Sequence, residues 1–511
     1  MRSSLFTWVW HSVQILGPIP AAKVDMPTAK PTRHKEIERK FDVTESTVSP
    51  SFDGLNAVAR VELSPAESLD AVYYDTAGHD LAAHKITLRR RTGGSDEGWH
   101  LKLPAGADAR TEVRVPLEAG TDTVPADLLD VVLAIVRDRP LAPVARISTT
   151  RHIQLLYGAD GVALAEFCDD QVTAWATDGD EQAWREWELE LLSPDADPAL
   201  LGRLGNRLLD AGAAPAASGS KLARVLGSAP APAPTPEDPV HRAVAEQVAE
   251  LVEWDRAVRA DVWDSVHQMR VTTRKLRSLL KESEESFGLT DDSWVLDELK
   301  ALAAILGVAR DAEVLAERYE KSLADLPAEL VRGPVHERLV DGAQKRYAVG
   351  HRRSLAAMRT PRYFRLLDAL EELATSEPVT TDGAEHKPVT VDSAYKRVRK
   401  AARAADEATE DRDEALHRIR KSAKRLRYTA SALGADKVAG AAKEIQTLLG
   451  DHQDSHVSRA HLLQEAEAAH AAGEDTFTYG LLYQREYEFA EAARLQVEDA
   501  LAALQKAVRK L

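Results

Sequence analysis

The sequence predicts an α+β protein of several domains, in which an antiparallel β-barrel with flanking helices is followed by a duplicated bundle of α-helices. Polar and apolar residues alternate with a period of two in the first part of the chain, which is typical of strands with two unlike faces. The second part has a helical period, and one of its motifs occurs twice. Prolines within 228–239 cannot donate backbone hydrogen bonds, so this segment is predicted to be a semi-rigid linker.

Composition limits the classes of protein to consider. With 44% hydrophobic residues among 511, the chain can bury large cores, and a wholly disordered protein is excluded. The single cysteine, Cys168, excludes an intramolecular disulfide framework and fits a reducing compartment. The net charge of −16 means that a polyanion must find a local basic patch. No apolar run is long enough to span a membrane, so we expect a cytoplasmic protein without a membrane partner.

Residues 1–33 precede the first strand pattern and are expected to form an unstructured extension. Their first 22 residues resemble a secretory signal only weakly, because polar residues interrupt the short apolar stretch. A start codon at Met26 is the alternative explanation of this segment. The barrel is then expected at 34–227 and the helical domain at 240–511.

The predicted strands carry an ionic face and an apolar face. Residues two apart share a face, so Glu36, Glu38 and Lys40 project from one side of a strand and Ile37 and Phe41 from the other. A single strand of this kind is usually a solvated face, but here the pattern is repeated. A closed barrel can turn ionic faces inward and cover apolar faces with helices. Other same-face sets are Arg89 and Arg91, His100 and Lys102, Arg110, Glu112 and Arg114, and Glu186, Glu188 and Glu190.

A mixture of cations and carboxylates inside a barrel predicts a site for a compact polyphosphate with a divalent metal ion. Buried charges are stable only where they compensate one another. Paired carboxylates are ligands that Mg²⁺ and Mn²⁺ prefer, and Arg and Lys side chains match phosphate oxygens. The chain has no GxxxxGK[ST] loop, so a P-loop enzyme is excluded.

Several segments of the first part also match a known family pattern. They are ExExK at 36–40, YYDT at 73–76, LRRR at 88–91, WHLKLP at 99–104, REWELEL at 185–191 and SK at 220–221. Over 34–227 the chain resembles the CYTH family, the triphosphate tunnel metalloenzymes. This resemblance implies an eight-stranded antiparallel tunnel that hydrolyses triphosphate compounds with Mg²⁺ or Mn²⁺.

The resemblance also implies roles for individual residues. The implied catalytic residues are Glu36, Glu38 and Lys40. The implied metal ligands are Glu36, Glu38, Glu186, Glu188 and Glu190, with Asp169 or Asp170 as a further acid. The implied phosphate ligands, besides Lys40, are Arg89, Arg91, Lys102, Arg114, Arg151 and Lys221, with Arg146 as a weaker candidate. Thr149 stands where relatives carry a second base.

In the second part, the segments HQMRVTTRKLR at 267–277 and HRIRKSAKRLRY at 417–428 share one motif. Positions i, i+3, i+7 and i+10 fall within an arc of about 80° on a helix, so each copy forms a stripe. LGVARD at 306–311 is matched by LGDHQD at 449–454, which predicts two repeats at about 240–375 and 392–511. The stripes contain His267, Arg270, Arg274 and Arg277, and His417, Arg420, Lys424 and Arg427.

These stripes resemble those of the CHAD family, the conserved-histidine α-helical domain. The resemblance implies two pseudo-symmetric four-helix bundles with a basic channel that binds inorganic polyphosphate. Solvated helix faces are the alternative, and metal binding by the histidines is less favoured because neither has a second ligand at metal spacing. Further candidates for polyphosphate contact are Arg310, Lys396, Arg399, Arg403 and Tyr428.

The leading interpretation is a cytoplasmic enzyme that hydrolyses inorganic tripolyphosphate to pyrophosphate and phosphate, with a helical domain that binds long-chain polyphosphate. Association with polyphosphate granules is expected, and sequence-specific binding of nucleic acid is not. Two alternatives stay open: a non-catalytic polyphosphate receptor, and an enzyme for organic triphosphates such as thiamine triphosphate or nucleotides. A receptor does not need paired metal carboxylates, and this favours the enzyme.

Overall fold

A computed structural model describes residues 31–106, 108–117, 123–177, 179–193, 197–227, 236–290, 293–377, 390–407 and 412–511. The chain divides into two compact units, Met1–Pro232 and Ala233–Leu511. This division lies inside the segment predicted to be a linker. The expectation for the N-terminal extension falls on residues 1–30, which lie outside the described residues.

The first unit contains the eight-stranded antiparallel barrel that the resemblance implied. The strands are β1 (Thr32–Val43), β2 (Arg60–Leu63), β3 (Glu67–Asp75), β4 (Thr87–Thr92), β5 (Gly98–Pro104), β6 (Ala109–Val115), β7 (Ala142–Tyr157), β8 (Ala163–Ala176), β9 (Gln182–Leu191) and β10 (Ala214–Pro215). Neighbours follow the order β1-β6-β5-β4-β3-β7-β8-β9, and β9 pairs with β1 to close the ring. The two strands outside the ring are short: β2 pairs with β7, and β10 pairs with β1.

Strand pairing determines which residues face the interior of the barrel. Lys40 pairs with Glu188 across β1 and β9, and Arg151 pairs with Asp170 across β7 and β8. Because side chains two residues apart share a face, the ionic residues of neighbouring strands project to the same inner side. The predicted ionic faces therefore meet inside the ring.

Short helices flank the barrel. They are α1 (Asp80–Ala83), α2 (Ala126–Val136), α3 (Pro198–Asp210) and α4 (Lys221–Leu226). Helix α4 packs on the inner face, where Leu222 lies in one buried cluster with Ala71 and Ile147. Leu204 of α3 packs in one buried cluster with Phe41 and Trp187. Helix α4 begins where the Ser220 hydroxyl accepts a hydrogen bond from the Ala223 backbone N–H, an ordinary N-cap. This cap fixes the start of α4, and with it the position of the lysine that follows.

The described residues of the second unit contain helices and no strand, as predicted. The first repeat has α5 (Pro239–Arg259), α6 (Ser265–Glu282), α7 (Trp294–Ala324), α8 (Gly342–Ala357) and α9 (Pro361–Thr375), and the second has α10 (Val391–Asp406), α11 (Arg412–Ala432), α12 (Asp436–Ala471) and α13 (Phe477–Val508). No described helix is long and apolar enough to cross a membrane.

The described residues of the first repeat form five α-helices where the resemblance implied four. The additional boundary lies between α8 and α9, where Pro361 has no N–H for a continuous helix. The Thr360 hydroxyl caps the new helix start by accepting from the Tyr363 N–H. The two repeats join through one apolar cluster, in which Tyr319 and Leu462 are buried.

Candidate functional site

The barrel encloses a cavity of about 810 Å³ with an ionic lining. The structure brings most of the predicted tunnel residues to this cavity. They are Glu36, Glu38, Lys40, Arg89, Arg91, Lys102, Arg114, Arg151, Glu188, Glu190 and Lys221, and Thr149 lies beside them. We call this cavity the tunnel.

Glu188 forms the centre of one ion-pair network in the tunnel. Its carboxylate accepts from Lys40 and Arg151, and lies 2.8 Å from the Nζ of Lys221. Burial alone would raise the pKa of Glu188, but Lys221, Lys40 and Arg151 hold it well below its usual range. Lys40 also donates to Glu38 at 2.8 Å. Each of these three cations is therefore already paired with a carboxylate of the protein.

Lys221 holds the acidic group formed by Asp170, Glu186 and Glu188. One oxygen of each of these carboxylates lies within 4.8 Å of the others, close enough to ligate one metal ion. The Lys221 Nζ lies 2.8 Å from Asp170 and 2.7 Å from Glu186, and the Trp184 indole donates to Glu186 at 2.6 Å. In the described structure these three carboxylates are compensated by an ammonium group.

Glu190 is a tunnel carboxylate with too little positive charge around it. Burial and the charges of Glu36, Glu38 and Glu166, opposed by Lys102, raise the pKa of Glu190 to about 7. Among the described residues Glu190 forms no ion pair. A divalent cation would relieve this excess of negative charge, and carboxylate oxygens are the ligands that Mg²⁺ or Mn²⁺ takes. Glu190 therefore fits the implied metal, with Glu38 opposite it on β1 and Glu36 on the same face, although these two are already paired with Lys40 and Lys102.

Glu112 and His100 lie on ionic faces that the sequence predicts, but neither is among the predicted site residues. Glu112 is fully buried, and its carboxylate lies 2.9 Å from the Nδ1 of His100 and 3.0 Å from the Nε2 of His34. His34, Glu36 and Glu112 form another group with metal-ligand spacing. Glu166 was missed as well, although it shares a strand face with Asp170. Alternation at i, i+2 was the signal available for all of these residues.

Two predicted site residues face the outside of the barrel, which corrects both predictions, whereas Asp170 and Glu186 face inward beside Lys221 without lining the cavity. The register of β8 directs Asp169 to the outer face, where its carboxylate accepts from Arg185 at 2.6 Å and from Ser49 at 2.7 Å. Asp170 is therefore the residue of this pair that faces inward. Arg146 is 61% exposed and pairs with Asp70 at 2.7 Å.

In each stripe of the helical unit, one arginine side chain packs against a glycine of the neighbouring helix. A Cβ at Gly307 of α7 would lie 3.3 Å from the Nε of Arg270, and a Cβ at Gly450 of α12 would lie 3.2 Å from the Nη2 of Arg420. The two Leu-Gly landmarks therefore allow the arginine of each repeat to lie flat on the next helix. Arg270 donates to the Ala303 carbonyl at 3.3 Å.

The stripes of α6 and α11 come close to each other. Burial, then Arg274 of α6 and Arg420 of α11, followed by Arg270 and Arg427, lower the pKa of Lys424 to about 7. Among the described residues, Arg274, Arg277, Arg420 and Lys424 form no ion pair with an acid. We call the group Arg270, Arg274, Arg420, Lys424 and Arg427 the cationic cluster.

The other helical candidates differ in their surroundings. Tyr428 lies between two cations, with its ring 5.6 Å from Lys424 and 5.7 Å from Arg427. Arg310 is paired with Glu313 at 2.8 Å, and Lys396 with Asp392 at 2.7 Å. Of the remaining predicted residues, Arg399, Arg403 and His417 are exposed, and His267 and Arg277 are half-buried. Neither histidine belongs to a described group with metal-ligand spacing.

Comparison with known proteins gives two matching families. The model of the CYTH domain matches residues 34–201, and that of the CHAD domain matches residues 242–463. Two Mycobacterium tuberculosis proteins, Uncharacterized protein MT2285 (strain CDC 1551 / Oshkosh) and Uncharacterized protein Rv2226 (strain ATCC 25618 / H37Rv), are each 65% identical over 504 residues. Each alignment covers 94% of this chain and 98% of the relative.

Three solved structures are similar to parts of the chain. PptA from Streptomyces chartreusis is 21% identical, with 52% of this chain and 98% of that chain covered and a TM-score of 0.44. The CHAD domain from Ricinus communis is 21% identical, with 55% and 97% covered and a TM-score of 0.41. HpAC1 from Hippeastrum, which has a dominant triphosphatase activity, is 19% identical, with 38% and 97% covered and a TM-score of 0.26.

Proposed function

Because the chain belongs to the CYTH family through its first unit and to the CHAD family through its second, we propose that it hydrolyses inorganic tripolyphosphate and binds long-chain polyphosphate. The CYTH domain is a triphosphate tunnel fold with triphosphatase homologues. The inorganic substrate, the choice of Mg²⁺ or Mn²⁺ and the polyphosphate ligand are our proposal.

One observation carries the catalytic part of the proposal. The tunnel combines the carboxylates of Glu36, Glu38 and Glu190, of which Glu190 lacks sufficient positive charge, with a set of cations suited to phosphate oxygens. A metal–triphosphate complex supplies positive charge to the first group and negative charge to the second. A receptor that only held polyanions would gain nothing from the carboxylates.

The tunnel side chains would bind and orient the substrate. Arg89, Lys102 and Arg151 line the cavity and would stabilise the charge that develops on the phosphate oxygens as the terminal phosphorus is attacked. A metal ion held by Glu36, Glu38 and Glu190 would polarise phosphate oxygens and lower the pKa of a bound water. Lys40, fixed between Glu38 and Glu188, would hold its ammonium group beside the departing pyrophosphate.

The lining of the tunnel favours an inorganic substrate over an organic one. Among its described lining residues Tyr73 is the only aromatic one, and its hydroxyl accepts from Arg89 at 3.3 Å. A purine base or a thiazole ring is usually held by stacking on an aromatic face. Each strand of the ring instead contributes a charged side chain to the lining, beside apolar residues such as Ile147 and Ile153, which suits a ligand made only of phosphate.

Phosphate release from purified protein tests the proposal. Tripolyphosphate, long-chain polyphosphate, ATP and thiamine triphosphate are compared with Mg²⁺, with Mn²⁺ and with EDTA. We expect tripolyphosphate to be hydrolysed fastest and EDTA to stop the reaction. Hydrolysis of tripolyphosphate no faster than in buffer would contradict the enzyme, and faster hydrolysis of an organic triphosphate would contradict the substrate.

The cationic cluster supports the second part of the proposal. After burial, repulsion by the neighbouring arginines lowers the pKa of Lys424. Among the described residues Arg274, Arg420 and Lys424 form no ion pair with an acid, whereas Arg270 lies 4.0 Å from the Asp311 carboxylate. A linear polyanion that contacts α6 and α11 together would remove this repulsion. Titration of the full-length protein with labelled long-chain polyphosphate in EDTA tests binding without turnover.

A further inference from the structure

The turn between β4 and β5, residues 93–97, brings an acid to the phosphate-binding side of the tunnel. Ser95 and Asp96 of this turn line the tunnel cavity. The Asp96 carboxylate contacts the guanidinium group of Arg91 and lies 3.7 Å from the Nη2 of Arg114. Both arginines are candidate phosphate ligands, and sequence analysis did not identify Asp96.

Three features hold the turn in this position. Gly93 and Gly94 have φ values of 79° and 78°, a region that residues with a Cβ rarely adopt. A Cβ at Gly93 would lie 2.2 Å from the Ser68 carbonyl oxygen of β3, so the turn packs directly on that backbone. The Nε2 of buried His100 lies 3.0 Å from the Asp96 carbonyl oxygen, to which it can donate. The Asp96 side chain is therefore fixed near the arginines.

A carboxylate and a phosphate use the same donors of an arginine. The side chain of Arg91 is only 6% exposed, so few of its N–H groups can contact a ligand while Asp96 stays in place. Asp96 itself is 30% exposed and can move toward solvent when it is displaced. A highly charged chain of phosphates can displace it, whereas a weakly charged anion gains too little.

We propose that Asp96 is a specificity-determining residue of the tunnel, an internal competitor that a phosphate group must displace from Arg91 and Arg114. This inference rests on the proposed function, since it assumes that tripolyphosphate enters the tunnel. Asp96 lowers the affinity for every phosphate ligand that reaches these arginines. Its effect is greatest for ligands with few charges, such as inorganic phosphate.

Asp96→Asn in the full-length protein tests the proposal, because it removes the charge and keeps the shape. By calorimetry in EDTA we expect the Kd of tripolyphosphate to fall by about threefold or more, and that of inorganic phosphate to fall further. With metal present, KM should fall and kcat should stay unchanged. Asp96→Glu keeps the charge and should resemble the wild type. The matched control is Asp108→Asn, which breaks an exposed pair with Arg39 outside the tunnel lining.

Hydrogen exchange of the wild-type protein gives a second test that needs no variant to fold. If tripolyphosphate displaces Asp96, the amides of residues 93–97 should exchange faster when the ligand is bound in EDTA. Slower exchange there, or an unchanged Kd in a folded Asp96→Asn variant, would overturn the competitor role alone. Failure of the wild-type protein to bind tripolyphosphate would overturn the proposed function and this inference together.

Discussion

The tunnel and the cationic cluster both concentrate positive charge, but they compensate it in different ways. In the tunnel, Lys40, Arg151 and Lys221 are each paired with a carboxylate of the same unit. In the cluster, Arg274 and Lys424 form no ion pair with an acid among the described residues, and burial together with neighbouring arginines lowers the pKa of each. These three tunnel cations must therefore exchange partners to bind an anion, whereas Arg274 and Lys424 only gain one.

This difference predicts different chemistry at the two places. Exchange of partners in the tunnel makes binding selective, because a ligand must replace carboxylate contacts. Gain of a partner at the cluster makes binding strong but unselective, because any long polyanion relieves the repulsion. Separate variants should consequently affect hydrolysis and polyphosphate binding independently.

The largest effect is expected from loss of a tunnel carboxylate. Glu38→Ala removes a proposed metal ligand and the partner of Lys40, so hydrolysis of tripolyphosphate should fall by about two to three orders of magnitude. Steady-state phosphate release measures it, and binding of long-chain polyphosphate at the cluster should be unchanged. The control is Glu62→Ala, which removes an exposed carboxylate of β2 that is 52% accessible. Unchanged hydrolysis in Glu38→Ala would show that the metal lies elsewhere.

The next effect comes from charge reversal in the cluster. Arg274→Glu combined with Lys424→Glu should weaken long-chain polyphosphate binding by about 100-fold or more, because two contacts become repulsive. Tripolyphosphate hydrolysis should stay within about twofold of wild type, since neither residue lies in the tunnel.

A matched variant decides whether position or net charge causes this loss. Arg352→Glu with Arg353→Glu changes the net charge equally at exposed positions of α8. Equal weakening of polyphosphate binding by both double variants would reduce the stripes to solvated helix faces. Long polyphosphate should also displace tripolyphosphate from the cluster, because only a long chain can contact α6 and α11 together.

Salt concentration should change the affinity of the cluster for polyphosphate more than it changes the KM of the tunnel. This difference is smaller than the effects of the variants above. If the cluster neutralises about four phosphates of a flexible chain, its affinity should fall about 20-fold between roughly 50 and 150 mM salt. The KM of the tunnel should change less, because its cations already have internal partners and ions screen buried pairs weakly. Equal salt slopes for KM and for polyphosphate Kd would contradict the comparison between paired and unpaired cations.

Much of this arrangement could be predicted from local patterns in the sequence. The period of two identified the residues that share an ionic strand face. The direction of that face depends on strand register, because a one-residue shift would turn Glu36 and Glu38 outward. Asp169 and Asp170 could not be distinguished, because adjacent residues differ only in strand register and β8 has no interruption that fixes it. The prediction for Arg146 was wrong for the same reason, because strand register decides whether this residue faces the tunnel. Asp96 lies in a turn, where no periodicity exists, and only the fold shows which arginines it meets.

The pairing of charges could not be predicted from the sequence at all. Lys221 follows an N-cap far along the chain from its carboxylate partners, and only closure of the barrel brings them together. Similarly, the repeated motif shows that Arg274 and Lys424 are equivalent positions, but it does not show that the two stripes face each other. This contact across the repeats changes the protonation of Lys424.

The smallest effect is a dependence of polyphosphate binding on pH. The pKa of Lys424 is lowered to about 7 by burial and by the neighbouring arginines, so part of the lysine is neutral at neutral pH. A bound polyanion favours the charged form, and binding therefore takes up a proton. Affinity should be highest below pH 7 and should fall by about tenfold as the pH rises to about 8.

Lys424→Arg isolates this effect, because the guanidinium group keeps its charge throughout this range and matches the residue of the first repeat. The variant should bind long-chain polyphosphate with an affinity that is nearly independent of pH from about 6.5 to 8, and calorimetry in buffers of different ionisation enthalpy should detect no proton uptake. Long chains keep the titratable terminal phosphates a small fraction of the ligand. The lowered pKa of His267 makes this histidine largely neutral over the same range, so it contributes little. The same decline of affinity with pH in Lys424→Arg as in the wild type would assign the titration to the ligand and would show that Lys424 is already charged in the free protein.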